Sequence, residues 1–191
     1  MEAIVEFTDV QHGKNLYYYD PVYWAVDNGI TAGVKDRNGL YSLFAPQNDC
    51  TRAQIVAFLW RLQGCPEPKT ITDFTDVSSS DYYFKAVCWA QENGIVGGYS
   101  DGTFRAKNVC NRGQIVTFLY RMNGCPKPES TSSPFTDVQN PKDYYYKAVL
   151  WAAESGITGG YSDNTFRPGN TCSRGQTVTF LYRYDKLFLD Y

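Results

Sequence analysis

Three versions of one twelve-residue stretch decide how this chain folds. They read CTRAQIVAFLWR at residues 50–61, CNRGQIVTFLYR at 110–121 and CSRGQTVTFLYR at 172–183. In each copy a good N-cap residue is followed three positions later by glutamine, which is the capping-box pattern of a helix start. Apolar residues then recur at helical spacing, as at Ile115 and Phe118. The stretch therefore predicts a capped, buried helix in each third of the chain.

An arginine stands at the first helical position of each copy, at Arg52, Arg112 and Arg174. The N-terminus of a helix carries partial positive charge, so a cation there costs roughly 0.3–1 kcal/mol. We therefore expect each guanidinium to have a compensating partner. Two kinds of partner would compensate the charge. One is an anionic ligand, on which the guanidinium and the free N–H groups of the first turn would converge. The other is an internal salt bridge to the aspartate of a nearby FTDV segment.

The arginine helix is the last part of a unit that occurs three times. Each unit begins with FTDV and continues with an aromatic helix, predicted at residues 17–28, 82–93 and 144–155. A glycine ends that helix, and a turn-rich loop leads to the second helix. In repeat one the loop carries five extra residues between Gly33 and Phe44 and lacks the Tyr-Ser-Asp sequence. The predicted repeats are residues 1–66, 67–128 and 129–191, the last with a C-terminal apolar tail that we expect to pack onto the body.

A helix–loop–helix unit of this size is marginally stable alone, so the three should pack together. We expect a mainly α fold in which three repeats form a pseudo-threefold prism around a central helical bundle. The second helices would bury their apolar faces against each other there.

Composition excludes several classes of function. The chain has 18 Lys and Arg against 20 Asp and Glu, which argues against a nucleic-acid binder with a basic surface. The 16 tyrosines suit an interface or a sugar-binding surface, although they could also cover the rim of the core. No apolar run is long enough to insert into a membrane. Because no signal-peptide pattern follows Met1 and the first repeat starts within ten residues, we expect a piece of a larger exported protein.

The cysteines and the single His12 bear on metals and catalysis. The six cysteines form no CxxC pair, so we expect no metal site and no cofactor. With one histidine and no Ser–His or Cys–His pairing, we expect no catalytic residues and no enzyme activity. Reduced, buried thiols are the favoured interpretation. The alternative is bridging between repeats, pairing Cys65 with Cys110 and Cys125 with Cys172.

These motifs, taken together, resemble a known family. FTDV, an aromatic helix ending in GI, a DGTFRP-like turn and a TRAQ, NRGQ or SRGQ helix are similar to the S-layer homology domain in triple tandem, over nearly the whole chain. The resemblance implies a module that anchors exported bacterial proteins non-covalently at the cell surface. Such modules bind secondary cell-wall polysaccharide, commonly through sugars that carry a pyruvate ketal, in grooves between neighbouring repeats.

The resemblance also implies a set of site residues. The three arginines match the arginine of the family's TRAE motif, where each would hold a carboxylate. Asp9, Asp76 and Asp137 match its DV aspartate, expected to orient the arginine or to accept a sugar hydroxyl. The groove-lining loop is matched by Gly98, Tyr99, Ser100, Asp101, Gly160, Tyr161, Ser162 and Asp163.

Two departures from the family pattern matter. Glutamine replaces the glutamate of TRAE at Gln54, Gln114 and Gln176, which removes a negative charge beside the arginine. Tyrosines stand where the family often has tryptophan at the start of the first helix. The later tryptophans, Trp24, Trp89 and Trp151, are expected in the core.

The leading hypothesis is an extracellular, bacterial cell-surface anchor that binds anionic, pyruvylated wall polysaccharide through its inter-repeat grooves. The alternative is a structural or protein-interaction module of the same fold that binds no polysaccharide. On the leading hypothesis, Arg112→Ala should weaken polymer binding and leave the fold intact, because it relieves a clash with the helix dipole.

Overall fold

The computed structural model describes residues 6–14 and 16–189. In that part of the chain the regular elements are six α-helices, two in each repeat, together with a few isolated β-bridges. The predicted mainly α, three-repeat architecture is confirmed. The residues behind the signal-peptide argument, 1–5, and the last two of the C-terminal tail lie outside the described residues. The helices are α1 (Tyr19–Asp27), α2 (Arg52–Leu62), α3 (Phe84–Glu92), α4 (Arg112–Met122), α5 (Tyr146–Glu154) and α6 (Arg174–Phe188).

The second helix of each repeat begins where its capping box predicts. Asn111 accepts a hydrogen bond from the Gln114 backbone N–H at 2.8 Å, and the Gln114 side chain accepts one from Asn111 N at 3.0 Å. The same reciprocal pair caps α2 and α6. Helix α6 has 15 residues against 11 in α2 and α4, because it continues into the C-terminal tail. There Phe188 stacks on Trp151 at 5.7 Å between ring centroids.

The first helix of each repeat begins two residues later than predicted. No side chain caps these helices, and a turn precedes each of them. In repeat two that turn is closed by a bond from Phe84 N to the Asp81 carbonyl at 3.0 Å. The predicted glycine stops are confirmed, since Gly29, Gly94 and Gly156 all have positive φ.

The three repeats close into a ring because each first helix packs against the second helix of the preceding repeat. Helix α3 packs on α2, α5 packs on α4, and α1 packs on α6. The ends of the second helices meet through three backbone hydrogen bonds that form a cycle. Cys110 N donates to Cys50 O at 2.9 Å, Cys172 N to Cys110 O at 3.0 Å, and Cys50 N to Cys172 O at 3.1 Å. This cycle places the three helix N-termini around one pseudo-threefold axis.

Tryptophans and cysteines divide between the core and its edge. Trp89 and Trp151 are buried, while the half-buried Trp24 donates its Nε1–H to Asp185 Oδ2 at 3.1 Å. All six cysteines carry free thiols, so neither proposed bridge forms. Four of them are buried, but Cys65 and Cys125 are exposed in the linkers between repeats. No helix among the described residues is both long and apolar enough to span a bilayer.

Candidate ligand-binding grooves

The three arginines at the helix starts are buried, each with 4% of its surface exposed. Each donates its Nε–H to a backbone carbonyl of the next repeat around the ring. Arg112 reaches Phe166 O at 2.8 Å, Arg52 reaches Phe104 O at 2.9 Å, and Arg174 reaches Phe44 O at 2.9 Å. Burial lowers the pKa of Arg112 and of Arg174, because desolvation disfavours the charged form.

Aromatic rings surround the buried guanidinium groups. The Arg112 guanidinium carbon lies 4.8 Å from the Tyr161 ring centroid, 4.7 Å from that of Phe166 and 5.3 Å from that of Phe180. Cation–π contacts contribute about 2 kcal/mol in a desolvated site. A shell of π faces and one carbonyl therefore holds the cation without a carboxylate.

The FTDV aspartates hold the same loop peptide from its other side. Asp137 accepts hydrogen bonds from Phe166 N at 2.8 Å and from Arg167 N at 2.7 Å. Asp9 and Asp76 bond the equivalent loops in the same way. The ion pairs of residues 6–14 and 16–189 involve none of these aspartates and none of the buried arginines. The predicted alternative of an internal salt bridge is therefore wrong, and each aspartate positions the loop that carries the arginine's acceptor.

The first-turn N–H groups of the second helices are occupied as well. Arg112 N donates to Asn170 O and Gly113 N to Pro168 O, both at 2.9 Å, and α2 and α6 are closed in the same way by neighbouring loops. The expectation that these N–H groups converge on an anion is wrong, because tertiary contacts take them. Only the arginine side chain remains for a ligand.

A groove of about 270 Å³ opens beside Arg112. The loop and α6 of repeat three form its walls, and Tyr17 of repeat one reaches in from the far side. It is lined by Tyr17, Arg112, Thr158, Gly159, Gly160, Tyr161, Gln176, Thr179, Phe180 and Arg183. A second groove of about 220 Å³ has the same design and is lined by Arg52, Gly97, Gly98, Tyr99, Gln114, Thr117, Phe118, Arg121 and Tyr144.

The arginines offer free donors to these grooves. The Arg112 side chain makes one hydrogen bond, through Nε, and the Arg52 side chain adds a bond from Nη2 to Gly97 O at 3.3 Å. In the described part of the chain, no buried side-chain nitrogen lacks a hydrogen-bond partner. The unbonded terminal nitrogens of both arginines therefore reach the groove surface.

The tyrosine of each groove loop is held between two arginines. Tyr161 lies 4.8 Å from the Arg112 guanidinium and 4.2 Å from that of Arg167. Arg167 Nη2 also contacts Asp163 Oδ2 at 2.7 Å. Hydrogen bonds from Thr165 and Arg167 lower the pKa of Asp163 to about 2. The second groove repeats this stack with Tyr99, and the contacts fix the loop before any ligand arrives.

The structure brings together only part of the predicted loop set. Gly98, Tyr99, Gly160 and Tyr161 line the grooves beside their arginines. The remaining loop residues are exposed at the turn beyond the lining: Ser100, Asp101, Ser162 and Asp163. The buried position of Arg112 argues against the expectation that Arg112→Ala only relieves a dipole clash, because the change also removes buried contacts.

The groove position beside Arg174 is built differently. Val34 occupies the place of Tyr99, since Val34 N donates to Leu43 O as Tyr99 N does to Thr103 O, both at 2.8 Å. Ala45 has φ 56° where Arg105 has φ 57°, so it replaces the outer arginine. Ala57 stands where α4 has Thr117. The inserted loop of repeat one thus lacks the Arg–Tyr–Arg stack.

Comparison with known proteins agrees with this architecture. The family model of the S-layer homology domain matches residues 6–56, 73–116 and 134–178, which is most of the chain. The chain belongs to the S-layer homology domain family. Domains of this family are cell-surface anchoring modules, and this chain is a module of that kind.

Curated relatives contain S-layer homology sequence within much longer proteins. A cellulosome-anchoring protein of Acetivibrio thermocellus is 27% identical over 147 residues, covering 74% of this chain and 33% of that protein. The exoglucanase XynX of the same organism is 26% identical over 187 residues, covering 95% and 16%. A surface layer protein of Brevibacillus choshinensis is 29% identical over 93 residues, covering 47% and 8%. The chain thus spans a third or less of the length of these relatives.

Sequence reasoning missed one face of the groove in this S-layer homology module. On α4 it comprises Gln114, Thr117, Phe118 and Arg121, at positions i, i+3, i+4 and i+7. This spacing defines one face of a helix, so the repeated motif contained the signal. From the sequence, the glutamine was interpreted as a cap that removes a negative charge beside the arginine, and the final arginine had no role.

Proposed function

We propose that this module binds anionic, pyruvylated secondary cell-wall polysaccharide in the grooves beside Arg52 and Arg112. It would thereby anchor a larger exported protein at the outside of a bacterial cell. The observation that carries the proposal is a buried arginine whose free terminal nitrogens reach a groove with no carboxylate in its lining. A ketal pyruvate supplies the missing carboxylate.

The groove offers the contacts that such a sugar needs. The free edge of Arg112 can donate to both carboxylate oxygens, which is the geometry that guanidinium groups favour. Tyr17 also lines the groove, and sugars pack their C–H faces on such rings, whereas the Tyr161 ring is already held between Arg112 and Arg167. The Thr179 hydroxyl already donates to Gly175 O at 2.7 Å, so it can accept a hydrogen bond from a sugar hydroxyl.

The groove position beside Arg174 is not expected to bind this ligand. It keeps the buried arginine, whose Nη2 contacts Thr31 Oγ1 at 3.3 Å. It lacks a tyrosine at the position of Tyr99 and a threonine at the position of Thr117. We therefore propose two binding grooves per module. Two sites on one polymer would raise the overall affinity by avidity.

The first test is sedimentation of the folded chain with isolated Gram-positive wall sacculi. Sacculi are compared as prepared, after mild acid has removed the ketals, and after the polysaccharide has been stripped. We expect binding to the untreated wall and loss of binding after either treatment. Equal binding to walls without ketals would refute the role of pyruvate, and equal binding to stripped walls would refute polysaccharide binding.

Matched variants then locate the site. Arg52→Lys with Arg112→Lys keeps the charge but removes the fork, and Arg174→Lys makes the same change in the third position. All three changes disturb the same kind of buried carbonyl contact, so circular dichroism should show similar losses of stability per site. We expect the double variant to bind at least about tenfold more weakly, a difference of about 1.4 kcal/mol, while Arg174→Lys binds as the parent does. If Arg174→Lys weakens binding and the double variant binds as the parent does, the assignment of the binding grooves is refuted.

The alternative, a protein-interaction module, is favoured by one feature. The inserted loop of repeat one exposes Leu40 at 63% and Tyr41 at 52% of their surface. If a demonstrably folded sample binds no wall preparation, this loop becomes the first surface to test for a protein partner.

A further inference from the structure

A second guanidinium lies in each of the two grooves, and the carboxylate-binding role of the first does not explain it. Arg121 lines the groove of Arg52, and Arg183 lines the groove of Arg112. Both are half-buried on the second helices. Each uses Nη1 for a bond to a backbone carbonyl, that of Ile95 at 3.3 Å and that of Ile157 at 3.0 Å.

These carbonyl contacts aim the two side chains without neutralising them. The remaining donors of Arg121 and Arg183, at Nε and Nη2, make no hydrogen bond, and no such nitrogen of the described residues is both buried and unpaired. The ion pairs of this part of the chain include neither arginine. A charged side chain that is held in place but keeps free donors is ready to meet an anion.

The two cations of a groove lie close together. The Arg112 guanidinium sits 5.3 Å from the ring of Phe180, and Arg183 follows Phe180 by three residues on the same helix face. Three residues correspond to a rise of about 4.5 Å along a helix. Because both arginines also line the same groove, one ligand that fills it can reach the free donors of both.

The charge of the groove does not match a ligand with one carboxylate. Its lining contains two arginines and no Asp or Glu, so one bound carboxylate leaves one positive charge uncompensated. In the half-enclosed setting of a groove, such a charge attracts a second anion more strongly than it would in open water.

We propose that Arg121 and Arg183 form a second anion contact, so that each groove recognises two acidic groups on adjacent units of the polymer. This inference rests on the proposed polysaccharide function. The first group is the carboxylate taken by Arg52 or Arg112. The second is an acidic oxygen group on the neighbouring sugar, either a carboxylate or a phosphate. The second arginine thereby determines specificity, because it distinguishes a doubly acidic repeat from a singly acidic one.

Three synthetic probes test this proposal by calorimetry. The first is a 4,6-ketal pyruvate methyl glycoside with one carboxylate. The second and third are disaccharides that extend it by a uronic acid or by a sugar phosphate. We expect the parent chain to bind at least one disaccharide about tenfold more tightly than the glycoside, and the disaccharide that shows the gain identifies the source of the second charge.

The Arg121→Gln, Arg183→Gln double variant should lose that gain, and its affinity for the one-carboxylate glycoside should fall much less than its affinity for the disaccharide. The Arg121→Lys, Arg183→Lys double variant keeps the charge and should retain part of the gain in affinity. Arg61→Gln is the matched control, because Arg61 makes the same carbonyl contact, to Ile30 O at 2.9 Å, beside the groove position that we do not expect to bind. Circular dichroism verifies that each variant is folded.

Two results would overturn the inference. One is a parent chain that binds both disaccharides no more tightly than the glycoside. The other is an Arg121→Gln, Arg183→Gln variant that keeps the gain in affinity for the disaccharide, or whose affinity for the glycoside falls as much as its affinity for the disaccharides. If instead the parent chain fails to bind the one-carboxylate glycoside at all, the proposed function itself fails, so the two failures are distinguishable.

Discussion

Truncation of Arg112 to alanine tests how the groove is held together. The change removes the donor that satisfies Phe166 O at 2.8 Å, and a buried acceptor without a partner costs about 1–3 kcal/mol. It also removes a guanidinium packed among three rings, which contributes about 2 kcal/mol. Relief of a cation at a helix N-terminus returns up to about 1 kcal/mol. We therefore expect a net loss of about 2–4 kcal/mol in the free energy of unfolding.

Urea unfolding followed by circular dichroism measures this loss, and a thermal scan should show a midpoint about 5–15 °C lower. Arg121→Ala is a useful control on the same helix, because that side chain is half-buried and its carbonyl contact is longer, at 3.3 Å. A loss below about 0.5 kcal/mol for Arg112→Ala, the range of ordinary surface substitutions, would refute the argument that the arginine is a structural clamp as well as a ligand contact.

The remaining predictions concern the loop and the thiols. At Gly160, with φ +70°, an added Cβ would overlap the Phe135 ring and lie 2.7 Å from Thr165 O, so Gly160→Ala should cost about 2–4 kcal/mol in urea unfolding. Gly159→Ala has nothing within 4 Å, and equal losses for the two would refute the steric argument. Burial raises the pKa of the Cys110 and Cys172 thiols from near 9 to about 12. Between pH 9 and 12 the unfolded chain loses these protons and the folded chain keeps them, so the free energy of unfolding should be highest below pH 9 and fall over that range. Unfolding midpoints that stay constant between pH 9 and 12 would contradict this. At neutral pH a thiol reagent should react quickly with two thiols of the folded chain, and fast reaction of four or more would contradict the burial of the others. The fast thiols are Cys65 and Cys125, and the two whose pKa rises to about 12 are Cys110 and Cys172, while burial also raises the pKa of Cys50.

The repeats, the capping boxes and the glycine stops were predictable because local spacing encodes them. A cap residue and a glutamine three positions later satisfy each other's backbone groups within one turn. Helix α2 accordingly begins at Arg52, as the sequence indicated. The first helices were placed two residues early, because two tyrosines ahead of each form a turn that apolar periodicity does not distinguish from a helix.

The site was only partly predictable. The position of Arg112 at a helix start correctly indicated an unusual environment, but not which partner satisfies it. Its acceptor, Phe166 O, lies 54 residues away, and the acceptor of Arg174 lies 130 residues away. The place of Arg121 in the groove of Arg52 also depends on how α4 of repeat two packs beside repeat one.

By itself, the sequence determined three capped helices with an arginine at each start, three aromatic helices before them, and a repeat-one loop unlike the other two. Those features depend on hydrogen bonds and side-chain spacing within a few residues. The tertiary structure alone decided that the loop carbonyls of a neighbouring repeat take the first-turn N–H groups, and that each guanidinium is buried with only its outer edge in a groove. It decided this because closing three repeats into a ring joins groups far apart in the chain, and no local pattern specifies those pairings.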